Sequence, residues 1–165
     1  AALATPVFLS LYVENDLRLD KYFAETDEKG FRKNKKAGSN NYLCTFRVGE
    51  IYLTAAEAAA RLGELSQART RLLELMRKRY APEAYEAKSV VVNAMDKEAL
   101  VQEILDERAR ELAFEGHRWF DLRRSTRPRL EKVLDGTRYV LEENDARYTL
   151  AIPKEAIEAN PGLLN

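Results

Sequence analysis

Over most of its middle the chain alternates apolar and polar positions with a helical period. Between Gly49 and Tyr80, Tyr52, Ala55, Ala56 and Ala59 recur at spacings of three and four, which places them on one helix face. That face is built of small side chains, so a second helix can approach it closely. Leu62-Gly63-Glu64 interrupts the run, and Leu65, Ala68, Leu72, Leu75 and Met76 resume it on a helix ending near Tyr80-Ala81-Pro82. The pattern predicts an antiparallel helical hairpin. Aromatic Tyr52, small Ala55 and Ala56, turn glycine Gly63, then Ala68 and Leu72 also fit a tetratricopeptide unit;. No second copy of that unit is legible, and such units bury a core only by stacking. An exposed apolar strip along residues 50–80, carrying Tyr52, Ala56, Leu72 and Met76, is the consequence expected.

A long helix follows, with Asp96 as its cap and its end near Arg124;. Val101, Leu105, Arg108, Leu112, Glu115, Trp119 and Leu122 form its seam by alternating steps of four and three, which puts Arg108 and Glu115 in line with residues that should be buried;. The adjacent row, Leu100, Ile104, Glu107, Glu111, Phe114, Arg118 and Asp121, repeats the theme. Charges inside a seam need partners. Residues 83–95, with Tyr85, read as a loop or short helix. Residues 26–41 read as a surface loop in which Arg32, Lys33, Lys35 and Lys36 form a solvated basic run, and Tyr42 to Val48 reads as extended;. After Pro128 the pattern suggests a short helical stretch at Leu130 to Leu134, a Gly136 turn, extended runs at Thr137 to Leu141 and Arg147 to Ile152, and a final turn opening at Ile152-Pro153;. The fold class expected is mainly α: a tetratricopeptide-like helical hairpin packed on a long helix, with irregular loops and a short C-terminal β-hairpin, in a single domain over residues 1–165.

Composition narrows the chemistry. The 165 residues carry 27 Lys plus Arg against 27 Asp plus Glu, a balance that disfavours a nucleic-acid binder or a basic membrane-surface protein. Apolar residues make up 45% and charged residues 33%, well inside the range of folded domains. Cys44 is the one cysteine and His117 the one histidine, so internal disulfides, multi-cysteine metal sites and multi-imidazole sites are ruled out for this chain alone. No metal or cofactor is expected. The opening apolar stretch contains Pro6, lacks a basic leader and is about half the roughly 20 residues a spanning helix needs;.

Glu107, Glu111 and Glu115 stand at i, i+4 and i+8 on one helix face, and paired carboxylates are the acid and base of glycoside hydrolysis. Here Arg108, Arg110 and Arg118 alternate with them, an environment that keeps carboxylates ionised instead of poising one as an acid. His117, Asp121 and Ser125 form a ladder on one face, whereas the members of a working triad converge from different elements. The run Arg123, Arg124, Arg127 and Arg129 has the charge to grip a phosphate or sulfate, but its place at a helix C-terminus favours the plainer reading, cations set against the negative end of the helix dipole;. No catalytic residue, and no enzyme, is expected. The residues alone place no ligand site; Tyr12, Tyr80, Tyr85 and Tyr139 are the aromatic candidates, each read as a packed side chain before a ligand platform.

Glu50-Ile51-Tyr52-Leu53-Thr54-Ala55-Ala56-Glu57-Ala58, followed by Glu107-Arg108-Ala109-Arg110-Glu111-Leu112-Ala113-Phe114-Glu115-Gly116-His117-Arg118-Trp119-Phe120-Asp121-Leu122-Arg123-Arg124, resembles the two most recognisable blocks of the SusD/RagB family. Asp16-Leu17-Arg18 with Tyr22 upstream, and Ile152-Pro153, Asn160-Pro161 and Asn165 downstream, add weaker matches. The resemblance covers nearly the whole chain and corresponds to the C-terminal part of a family whose members are several times longer. It implies a nutrient-binding lipoprotein on the outer-membrane surface, which captures a glycan or peptide and passes it to a SusC-type TonB-dependent transporter without cleaving it. Membrane attachment would come only from a lipidated N-terminal cysteine after a signal peptide; Cys44 is not that residue. The remaining N-terminal part of the same protein would be a further partner. Glu50, Tyr52, Glu57, Glu107, Arg108, Glu111, Glu115, Gly116, Arg118 and Asp121 are then motif residues with an architectural role, the charges of the long helix satisfying one another and nearby backbone against the hairpin. Two other readings stay open: a tetratricopeptide-type adaptor holding a protein partner in a groove, and a hydrolase using the carboxylate row.

Overall fold

The computed structural model describes residues 3–36, 47–134, 136–160 and 162. Its contacts divide into two compact units, Ala1–Arg118 and Trp119–Asn165.

The first unit opens with β1 (Leu3–Ala4), α1 (Pro6–Leu9), α2 (Arg18–Tyr22), β2 (Phe23–Thr26) and β3 (Arg32–Asn34). Its three short strands form an antiparallel sheet in the order β1-β3-β2. Thr5 caps α1 by accepting from the Phe8 amide at 3.2 Å, and Pro6 occupies the first turn, where a missing N–H costs nothing;. Of the surface loop expected over residues 26–41, Arg32–Asn34 instead forms β3, and residues 37–41 lie outside the described residues. The part of the expected extended segment at residues 42–46, Cys44 included, lies outside the described residues, and Val48 already begins a helix.

The hairpin is formed by α3 (Val48–Leu62) and α4 (Leu65–Met76). Between them Gly63 sits at φ 87°, a left-handed conformation that favours glycine, and its N–H closes the last turn of α3 on the Ala59 and Ala60 carbonyls;. Next come α5 (Pro82–Ala94), a full helix where a loop or short helix was expected, and α6 (Lys97–Glu111), capped by Asp96, whose side chain accepts from the Ala99 amide at 2.9 Å. Small Ala56, Ala59, Ala60 and Ala68 let α4 and α6 both pack on α3 around Leu53, Leu72, Met76, Leu100 and Ile104. This is the helical, tetratricopeptide-like architecture the pattern predicted. The strip expected to lie exposed does not: Ala56, Leu72 and Met76 are completely buried and Tyr52 half-buried, because α5 and α6 cover the hairpin from within the chain.

The single long helix is also corrected. It breaks after Glu111 and resumes as α7 (His117–Arg124), with Phe114 at φ 62° and Gly116 at φ 85° between. Left-handed backbone is costly for a side chain as large as phenylalanine. Phe114 is compensated by its ring, which meets Phe8 and Phe23 edge-to-face at 6.1 Å each, in a second core with Ala4, Tyr12 and Ala113. An unbroken helix would carry the ring away from that cluster.

In the second unit, β4 (Leu130–Leu134) pairs antiparallel with β5 (Thr137–Leu141), Leu130 opposite Leu141 and Leu134 opposite Thr137. The expected β-hairpin therefore exists with different strands: Leu130–Leu134 is extended where a helical stretch was expected. The second expected strand is instead a 3₁₀ turn (Ala146–Tyr148), followed by α8 (Lys154–Ala159). Tyr148 is fully buried, stacked on Trp119 with ring centroids 5.2 Å apart, and its hydroxyl donates to the Pro128 carbonyl.

Candidate functional site

The charges of α6 converge on one buried network. Arg18, at the start of α2, is 2% exposed, and Glu107 and Glu111 are completely buried. The Arg18 guanidinium donates to both Asp16 carboxylate oxygens at 2.9 and 2.8 Å, to Glu107 at 2.7 Å, to Glu111 at 3.2 Å and to the Tyr80 hydroxyl at 2.9 Å. The Tyr80 hydroxyl in turn donates to Glu107 at 2.9 Å. Arg110 closes the other side of Glu107 at 2.8 Å and reaches Glu103 at 2.6 Å, which also receives Lys88 at 2.9 Å. Glu111 is gripped further by Arg79 at 2.8 and 2.9 Å and by Arg47 at 2.6 Å. Arg47 and Lys36 both bind Glu115.

The helical spacing of Glu107, Glu111 and Glu115 sets the three carboxylates in a row; Arg110 of α6 itself and Arg18, Lys36, Arg47 and Arg79 from four other segments supply the cations. Glu111 can occupy its place because residue 49 is glycine: a Cβ there would stand 2.8 Å from Glu111 Oε1 and 3.2 Å from its Cγ.

Electrostatics follow from this packing. Burial by itself would push the Glu107 carboxyl up, but Arg18 and Arg110 overcome it and hold it down to about 2;. Burial likewise opposes Glu111, and Arg79, Arg18 and Arg47 keep its carboxyl below the usual range. For Arg18 burial again acts against the charge, and Glu107 with Asp16 outweighs it, raising the guanidinium well above its ordinary value. Burial pushes the Tyr12 and Tyr80 hydroxyls up. Glu107 and Glu111 are thus both held as carboxylates, the opposite of the split protonation a carboxylate pair needs for acid and base work.

Several expectations are revised here. Glu111 and Glu115 find their partners in Arg18, Arg47, Arg79 and Lys36, not in the neighbouring motif charges. Arg108 reaches the Thr54 hydroxyl at 3.2 Å, and Glu57 receives Arg61 at 2.9 Å. Asp121 is buried and receives Arg124, while Arg118 is half-buried. His117 lies 3.6 Å from Glu50, and Ser125 donates to the Asp121 backbone carbonyl, so no triad forms from the ladder. The basic run is not simply solvated: Lys36 inserts against Glu115, donates to the Glu111 carbonyl at 2.6 Å and covers the Tyr22 ring at 4.3 Å.

Of the four tyrosine candidates, Tyr12 and Tyr80 are buried, the former donating to the Arg110 carbonyl at 2.8 Å. Tyr85 packs half-buried against the hairpin core, and Tyr139 alone is open to solvent, 56% exposed on β5. Among the described residues no cluster of three His, Cys, Asp or Glu side chains could hold a metal, and no helix is long and apolar enough to cross a membrane.

A hairpin of tetratricopeptide type locked to a charged helix by a buried arginine network defines a helical scaffold. The SusD family model matches residues 11–165, and the chain belongs to the SusD family. A SusD-like protein of Formosa agariphila is 31% identical over 115 residues, covering 69% of this chain and 22% of that protein. The crystal structure of a SusD-like carbohydrate binding protein from Bacteroides vulgatus superposes with a TM-score of 0.61 at 20% identity, over 94% of this chain and 40% of that one. The chain thus spans well under half of either relative.

Proposed function

We propose that the protein to which this chain belongs is a cell-surface lipoprotein that captures a nutrient, a glycan or a peptide, and delivers it to a SusC-type TonB-dependent transporter in the outer membrane. The observation that carries the reading is the family match over residues 11–165, which includes the whole charged block on α6 and its partners. The solved relative of the same fold is a carbohydrate binding protein. The network supports binding without turnover, since its carboxylates are each locked by guanidinium or ammonium groups and none is left to shuttle a proton;. The whole motif set is then scaffold, holding residues 3–36, the hairpin and α6 in one body that presents the ligand-binding surface. The N-terminal remainder of the protein would supply the lipid anchor and further loops. The test is detergent extraction of the tagged full-length protein from its native outer membrane. Co-purification with a TonB-dependent transporter, together with retention on an immobilised oligosaccharide or peptide, is expected; recovery as a free protein that retains neither ligand class contradicts the reading.

A further inference from the structure

One cleft of about 490 Å³ lies outside the charge network, between the Val13–Asn15 turn, α5 and the first half of α6. Its size is that of a small-ligand site. The walls are aliphatic: Val13, Ala87, Val91 and Met95 line it, and Val92, 1% exposed, is the most deeply buried of its residues. No aromatic ring lines it among the described residues, so it lacks the flat face on which a sugar ring stacks.

Its charges are unequal. Three carboxylates, Glu14, Glu83 and Glu103, and one ammonium, Lys88, line the cleft. Glu103 is committed to Lys88 at 2.9 Å and Arg110 at 2.6 Å. Glu14 and Glu83 come from different elements and are exposed, and their carboxylates take part in no ion pair or side-chain hydrogen bond among the described residues. An aliphatic well with two uncommitted carboxylates complements a ligand that joins an aliphatic group to a cation.

We propose that the cleft binds a short extended peptide through one branched aliphatic side chain seated against Val91, Val92 and Met95, with an adjacent lysine or arginine held by Glu14 and Glu83. The proposal stands on the cleft alone and does not depend on which nutrient the protein captures.

Calorimetric titration of the full gene product with acetyl-leucyl-arginine amide, acetyl-leucyl-glutamate amide and acetyl-glycyl-arginine amide tests it. The first probe should bind 1:1 with a dissociation constant on the order of 1 mM, what one seated aliphatic group and a screened ion pair sustain. The other two should bind at least about fivefold more weakly. Ala87→Trp, which fills the cleft from an exposed position, should abolish the interaction. Glu14→Lys combined with Glu83→Lys should reverse the preference between the arginine and glutamate probes, with an unchanged thermal melt for both variants. Equal binding of the three probes, no binding of the first, or indifference to Ala87→Trp overturns the proposal.

Discussion

Replacing Glu111 by Gln removes one negative charge while keeping the shape of the side chain. In the native protein this carboxylate meets three guanidiniums, Arg18 at 3.2 Å, Arg79 at 2.8 and 2.9 Å and Arg47 at 2.6 Å. Breaking a buried pair from one side costs about 3–5 kcal/mol, because the partner stays behind uncompensated. The three partners differ. Side chains of Arg79 and Arg47 remain 26% and 22% exposed and recover part of their hydration, whereas Arg18 is 2% exposed but keeps Asp16 and Glu107. The lower end of the range, about 3 kcal/mol, is the expected loss. For a chain of this size that corresponds to a melting temperature lower by about 6–12 °C. Chemical denaturation of wild type and variant measures the loss, and a cycle with Arg79→Gln should return a coupling above about 1 kcal/mol. A Glu111→Gln variant within about 0.5 kcal/mol of wild type, the range of ordinary surface sites, would refute the buried network.

Acid should act on the same groups. The Glu107 carboxyl lies at about 2 against an ordinary 4.5, so its contribution is complete above about pH 4.5 and lost as the pH falls toward 2; it amounts to about 3 kcal/mol. Glu111 shifts in the same direction, and a denaturation midpoint that stays flat from pH 5 to about pH 2 contradicts both. Gly49→Ala would gain up to about 1 kcal/mol from helix propensity at an ordinary site, yet here its Cβ meets Glu111 at 2.8 Å. A net loss of about 1–3 kcal/mol is expected, and a variant as stable as wild type argues against the contact. Tyr80→Phe should cost about 1–3 kcal/mol by leaving Glu107 short of a donor;. Tyr139→Ala, at an exposed position, should shift the melt by less than about 0.5 kcal/mol, and the reverse order of the two effects would overturn their placement.

How much of this was legible in the sequence depends on the range of the interactions. The hairpin was, because Ala56, Ala59, Ala68 and Leu72 belong to local periodic patterns, and so was the need for partners, because Glu107 and Glu111 stand in an apolar row. The identity of those partners was not. Arg18 lies 89 residues from Glu107, and no period links them. Its weak signal was Asp16-Leu17-Arg18 itself, a charged pair whose members the fold buries together at 2.8 Å. The break at Phe114 was hidden because the seam of Leu105, Leu112 and Trp119 reads straight through it, and only the aromatic cluster of the first 23 residues gives that ring a reason to turn away. At the C-terminal end the dipeptide Asp135-Gly136 between two five-residue apolar-polar runs is the signature of a tight hairpin;. The helical expectation for Leu130 to Leu134 fails at that turn. Tyr148 carries no local mark of burial; its stacking on Trp119 is a tertiary fact.

The central claim is that the carboxylate row is scaffold in a protein that captures its ligand unchanged. The most direct measurement incubates the full-length protein with candidate oligosaccharides and peptides and follows retained and free ligand by mass spectrometry. The account predicts saturable retention with every ligand recovered at its original mass. Shortened products that vanish in a folded Glu107→Gln variant would contradict it.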